Sequence, residues 1–201
     1  MKTPIHHLGP LLPHAGNMIL LDEISEYSDK HLVGLAHIGP DHLFVDEQQT
    51  LPMWSGIEIM AQGVAALAGC HAQDVGQPVK LGFLLGSREV KILQPSVPVG
   101  STLQVRVEAS TRDEASGFGV FDCSLTLIED GATTVNDQSA ATGAEDTGAA
   151  NATKASRPAA TAADRAAAAG NDTINATVIA TARLSVFSPP DVNQYIQELA
   201  V

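Results

Sequence analysis

Apolar and polar positions alternate along much of the chain, and one long stretch breaks the alternation. Thr102 to Arg112 sets Leu103, Val105 and Val107 on one face against Gln104, Arg106 and Glu108 on the other. That period of two is the pattern of a half-buried strand. Val79 to Leu93, Gly119 to Glu129, Thr177 to Phe187 and His31 to Ile38 predict further strands. Another is expected from Met18, after a turn at Ala15-Gly16-Asn17. The separators Pro95 to Gly100 and Asp113 to Gly117 carry the Pro, Gly, Ser and Asp that turns require. Ile5 to Pro13 predicts a short helical turn, and Asp191 to Ala200 a short terminal helix with Val192, Tyr195, Ile196 and Leu199 on one side.

Leu51 to Ala72 is the exception. Its apolar residues fall on nearly every face of a helix, and a helix of that kind is either a membrane span or the buried centre of a fold. Glu58 and Gln62, one turn apart, together with Gly56, Gly63 and Gly69, point to the second. The order of elements is then two strands, a buried helix and four strands. It predicts an α+β fold, an antiparallel sheet wrapped around one long buried helix. An acid in the first turns of such a helix is costly unless it is hydrogen-bonded or used.

Composition adds boundaries. The 201 residues suffice for one domain with a core. A net charge of −12 argues against nucleic acid and against an anionic membrane surface. Cys70 and Cys123 sit in apolar contexts without metal-ligand spacing, so two reduced core thiols are expected, with no metal. No apolar run precedes the prolines of the first thirteen residues, which predicts no signal peptide, no membrane insertion and a cytoplasmic location. Gly131 to Asn175 has Val135 and Ile174 as its only large aliphatics and no aromatic residue. Such a segment cannot bury enough apolar surface to offset its chain entropy. It is expected to be a disordered hairpin insertion (131–175) within a domain formed by 1–130 and 176–201.

Three stretches in this order carry a family likeness: Leu12-Pro13-His14 followed by Met18 to Asp22; Gly56-Ile57-Glu58-Ile59-Met60-Ala61-Gln62; and Gly82-Phe83-Leu84-Leu85-Gly86 with Pro95 and Val99-Gly100. They resemble the hot-dog-fold β-hydroxyacyl-(acyl carrier protein) dehydratases. With Trp54 and Val120 to Cys123 added, the chain is most similar to the dehydratase-like branch of aryl-polyene gene clusters. The resemblance implies a hot-dog fold and elimination of water from a 3-hydroxyacyl thioester. It implies no cofactor, an acyl-carrier-protein-linked substrate, and a homodimer or a heterodimer with another hot-dog chain. It also implies Glu58 as the catalytic acid, with Gly56, Phe83, Leu84 and Gly86 at the substrate. The departure concerns the base. The family's Gly-His-Phe-Pro histidine would fall fourteen positions before Glu58, where this chain has Phe44. His42 is therefore the candidate base, and His14 the alternative.

Dehydration needs a base for the α-proton, an acid for the departing hydroxyl and donors for the enolate oxygen. Helix N-terminal amides near Gly56 suit the last role. Each residue also has a plainer reading. Ser55-Gly56-Ile57-Glu58 fits a capping box, in which Glu58 bonds the Ser55 amide. Gln62 fits a buried amide bonded to backbone, and Phe83, Leu84 and Leu85 are expected in the core. Lys80, Arg88 and Lys91 are the cations available to an acidic carrier protein. Two further readings share the fold: a non-catalytic hot-dog subunit that binds acyl chains or stabilises a partner, and a hot-dog thioesterase.

Overall fold

The computed structural model describes residues 1–113, 115–128, 176–189 and Tyr195. Eight strands and one long helix are described. They are β1 (Glu23–Tyr27), β2 (His31–His37), β3 (Thr50–Pro52), α1 (Gly56–Asp74), β4 (Phe83–Ile92), β5 (Ser96–Pro98), β6 (Thr102–Asp113), β7 (Phe118–Ile128) and β8 (Ala176–Phe187). Six form one antiparallel sheet in the order β1-β2-β6-β7-β8-β4, while β3 and β5 pair separately. α1 packs on β2, β6, β7 and β8, so the sheet covers the helix as the apolar pattern requires. Ile59, Met60, Ala66, Leu67 and Cys70 of α1 are buried against Val105, Val107, Leu125 and Leu184. Glycine permits the close fit at one point above all. A Cβ on Gly69 would lie 2.0 Å from the Leu11 carbonyl oxygen, so backbone meets backbone there.

Several boundaries differ from the pattern-based expectation. The helix starts at Gly56 rather than Leu51, because Leu51 is spent on pairing with Val97, and a 3-10 turn (Met53–Ser55) leads into the helix. The segment read as a turn between Pro95 and Gly100 therefore contains a strand. The strand expected from Met18 begins at Glu23, after a 3-10 turn at Gly16–Met18. Leu20 and Leu21 are buried as an apolar run should be. Their stretch lies outside the ladder because the Gln62 side chain holds it: the Leu20 amide donates to Gln62 Oε1 at 2.8 Å, and Gln62 Nε2 donates to the Met18 carbonyl at 2.8 Å. The N-terminal turn is a single 3-10 turn at Gly9–Leu11.

The expected core positions Leu84 and Leu85 are exposed, at 41% and 58%, and Phe83 is half-buried. The reason is the strand order. β4 is the last strand, paired on one side with β8. Cross-strand partners share a sheet face. Val90 therefore lies on the face of buried Ala182 and Ile92 on that of buried Ala180, the face against which α1 packs. Both are nonetheless exposed. The apolar face of the sheet runs past the helix that covers it. The insertion at 131–175 and, apart from Tyr195, the terminal helix lie outside the described residues.

Candidate active site

The start of α1 brings three side chains together. Glu58 lies in its first turn and Gln62 one turn on, so they share a face. Gln62 is completely buried and its Nε2 donates to Glu58 Oε1 at 3.1 Å. Because the same amide also bonds Met18 and Leu20, both of its donors and one of its two acceptor positions are used. From the segment that Gln62 anchors, His14 places its Nε2 3.6 Å from Glu58 Oε1, an ion pair whenever the imidazole is protonated. The side chains of His14 and Glu58 are 25% and 34% exposed, so both are open to a small reactant. His14 Nδ1 is buried and without a hydrogen-bond partner.

The capping box does not form. Ser55 is already helical in φ and ψ, and its Oγ donates to the Pro52 carbonyl at 2.6 Å instead. Glu58 is thus not held by a cap, and its partners are Gln62 and His14. Gln62 combines the two roles weighed from the sequence, a neighbour of Glu58 and a buried amide on backbone.

His42 is held elsewhere. It makes no hydrogen bond or ion pair with Glu58. Its Nδ1 accepts from the Phe44 amide at 3.3 Å, its ring lies 6.2 Å from Phe44, and Phe44 meets Trp54 edge-on at 5.7 Å. Burial pushes the His42 pKa below its ordinary 6.5, against an upward pull from the Asp22 carboxylate. Its Nε2 is buried and unpartnered, and with Nδ1 accepting, the proton of the neutral ring sits on Nε2.

The expected substrate residues divide. Gly56 is buried and its amide donates to the Met53 carbonyl. A Cβ there would meet Leu125 Cδ1 at 2.6 Å and Met53 Sδ at 2.9 Å. Gly56 therefore serves helix-to-sheet packing, and its N–H is not free for a ligand oxygen in this conformation. Gly86, at φ +147°, lies where the β4–β8 register shifts, with open space where a Cβ would be. Phe83 packs its ring on Tyr195 at 5.7 Å, while Leu84, opposite Val186, is exposed. Lys80, Arg88 and Lys91 are all exposed on or beside β4. The other face of the sheet carries a polar depression of about 300 Å³ lined by Glu89, Arg106, Glu108, Asp122 and Arg183, separated from Glu58 by the sheet itself. Among the described residues no helix is long and apolar enough to cross a membrane. Nor does any group of three His, Cys, Asp or Glu side chains stand ready for a metal.

His14 could have been placed beside Glu58 only by knowing that Gln62 ties down Met18 and Leu20. A buried glutamine one turn after a helix-start acid was the available signal.

The fold has known counterparts. A structure of the dehydratase heterocomplex ApeI:P from Xenorhabdus doucetiae matches with a TM-score of 0.67 and 23% identity, over 99% of each chain. More distant is the PaaI protein of the E. coli phenylacetic acid degradation operon, with a TM-score of 0.44 and 11% identity over 82% of this chain and 80% of that one. An acyl-CoA hydrolase mutant from Staphylococcus aureus is as distant, at 0.45 and 10% over 81% and 68%. No curated protein matches the sequence. The fold is the hot-dog fold, an α+β antiparallel sheet around one long helix. The profile of the ApeP-like family, described as ApeP dehydratase, matches residues 6–147. With that match covering well over half of its length, the chain belongs to the ApeP-like family of hot-dog dehydratases.

Proposed function

We propose that the chain eliminates water from 3-hydroxyacyl thioesters carried on an acyl carrier protein, in polyene-type biosynthesis, as one subunit of a hot-dog pair. The observation that carries this reading is Glu58. It is an acid on the first turn of the central helix, oriented by a buried glutamine, partly open to solvent and free of the cap that would explain it structurally. In this reading Glu58 gives its proton to the departing hydroxyl. The acyl chain lies along the uncovered apolar side of β4, with Leu84 beside Val90 and Ile92, and Gly86 leaves room for it. Phe83 backs the same strand. The second hot-dog chain covers what α1 leaves bare, in keeping with a relative described as a heterocomplex. Lys80, Arg88 and Lys91 offer an acidic carrier protein its cations on the same edge.

The test is dehydration of a 3-hydroxyacyl carrier-protein substrate by the chain alone and with a second hot-dog chain. Glu58→Gln keeps the size and the bond to Gln62 but has no proton of the needed acidity. Its turnover should fall about 100- to 10,000-fold at unchanged stability. Wild-type rates in Glu58→Gln would remove Glu58 from the chemistry. The second reading, a non-catalytic subunit that binds acyl chains or stabilises its partner, draws on His42, which has no contact with Glu58. It wins if the wild type is inert alone yet raises the stability or activity of the second chain. Release of free thiol instead of water would favour the thioesterase.

A further inference from the structure

We infer that Trp54 holds the pantetheine arm by which a thioester substrate hangs from its carrier protein, a contact that rests on the dehydratase reading above. Position comes first. The 3-10 turn Met53–Ser55 runs into α1 without a break, since Ser55 and Gly56 both have helical φ and ψ. Trp54, Glu58 and Gln62 follow one another at intervals of four residues and so lie along one stripe. Exposure falls along that stripe: Trp54 is 60% exposed, the Glu58 side chain 34%, and Gln62 is buried. A reactant reaches Glu58 from the Trp54 end, because the Gln62 end is closed.

The chemistry of the ring says which part of the substrate it meets. The turn is pinned on both sides of Trp54, by the Met53 amide donating to the Pro95 carbonyl at 2.8 Å and by Ser55 Oγ on the Pro52 carbonyl. The indole meets Phe44 edge-on, and whichever ring gives its edge, at least one indole face is left open by that contact. The indole N–H has no hydrogen-bond partner among the described residues. An open apolar face beside an unused donor suits a chain in which amides alternate with aliphatic links, as they do in pantetheine. A hydrocarbon tail would use the face and leave the N–H idle. The tail also has its own place. Gly56 packs on Leu125, which pairs with Ala180, which pairs with Ile92, so the start of α1 stands level with the last residue of β4. From there the acyl chain runs back past Val90 toward Gly86, and the arm leaves on the other side, over Trp54.

The experiment uses the full chain, alone and with a second hot-dog chain. It compares wild type, Trp54→Phe and Trp54→Ala on a 3-hydroxyacyl pantetheine thioester and on the S-ethyl thioester of the same acid, which has no arm. Trp54→Ala should lose about tenfold in kcat/KM on the first, through KM with kcat little changed, and nothing on the second. Trp54→Phe keeps a ring but lacks the N–H, so its loss should fall between. Equal losses on both substrates, as expected if Trp54 packed against the second chain instead, or no loss on either, overturn the arm contact and leave the dehydratase reading standing. Trp54 is the chain's single tryptophan, so its emission also reports the arm without turnover. Butyryl pantetheine amide, which cannot react, should change that emission saturably, and N-ethylbutyramide should not. With the second chain present, the signal is the difference from Trp54→Phe. If the wild type dehydrates nothing yet shows this change, the dehydratase reading fails and Trp54 stands as the arm site of a binding subunit. An equal response to the two amides, or none, overturns the arm contact whatever the turnover.

Discussion

Gln62→Met removes the most connected polar side chain described near the site while keeping its volume. Three bonds go: Leu20 N–H to Oε1 at 2.8 Å, and Nε2 to the Met18 carbonyl at 2.8 Å and to Glu58 Oε1 at 3.1 Å. Glu58 can turn to water, but the Leu20 amide and the Met18 carbonyl lose the partner that replaced a strand ladder. A buried backbone group left unsatisfied costs about 1–3 kcal/mol, so the two together cost roughly 2–6. Part is returned because methionine has no amide to desolvate, leaving a net loss of about 3 kcal/mol. For a domain of this size that lowers Tm by roughly 6–12 °C. Thermal melting and urea titration measure it, with the urea midpoint falling at an unchanged slope. Ala68→Met, on the exposed side of the same helix, is the control and should stay within about 0.5 kcal/mol of wild type. If Gln62→Met were as stable as Ala68→Met, the amide would not be what holds the Met18–Leu20 segment, and the common anchorage of His14 and Glu58 would lose its basis.

Gly69→Ala should destabilise by about 2 kcal/mol or more despite alanine's better helix propensity, because its Cβ would strike the Leu11 carbonyl; denaturant titration checks this. Burial raises Cys70 from 9.0 to about 11 and Cys123 to about 12. The folded state therefore keeps protons that the unfolded chain gives up. This stability is full below pH 9 and is lost as pH rises toward 11 and 12, and Cys123→Ala should flatten the alkaline fall of the denaturation midpoint. His42 has the opposite sense: its folded pKa is depressed by burial, so its contribution is lost as pH falls below 6.5. Asp22→Asn, which removes the upward pull, should lower the His42 titration seen by NMR still further.

The fold was legible because its two periods are clean. Leu103, Val105 and Val107 alternate into the core, and an all-round apolar helix leaves a sheet few alternatives to enclosing it. What escaped depends on contacts distant in sequence. Leu51 reads as helix until Val97 is known to pair with it, and Met18 to Leu20 read as strand until Gln62 takes their backbone groups. Leu84 and Leu85 read as core because hydrophobicity does not say which strand stands last in a sheet. At the site, Glu58 is visible as an acid out of place. Its neighbour is legible only as the alternative to His42, since His14 lies far from Glu58 in the chain and joins it only through the fold.

β7 and β8 pair from Phe118 opposite Phe187 to Ile128 opposite Ala176, with one register shift between Leu125 and Thr126. The two ends of the chain's longest connection are thus fixed as neighbours by strand pairing, whatever lies between. Closing a flexible loop grows only with the logarithm of its length, about 0.6 kcal/mol for each doubling. Cutting 129–175 to a tight turn would change stability by roughly 2 kcal/mol, less than the loss of the Gln62 amide. Evolution can lengthen, shorten or rewrite that connection while the sheet, the helix and the acid at its start stay as they are.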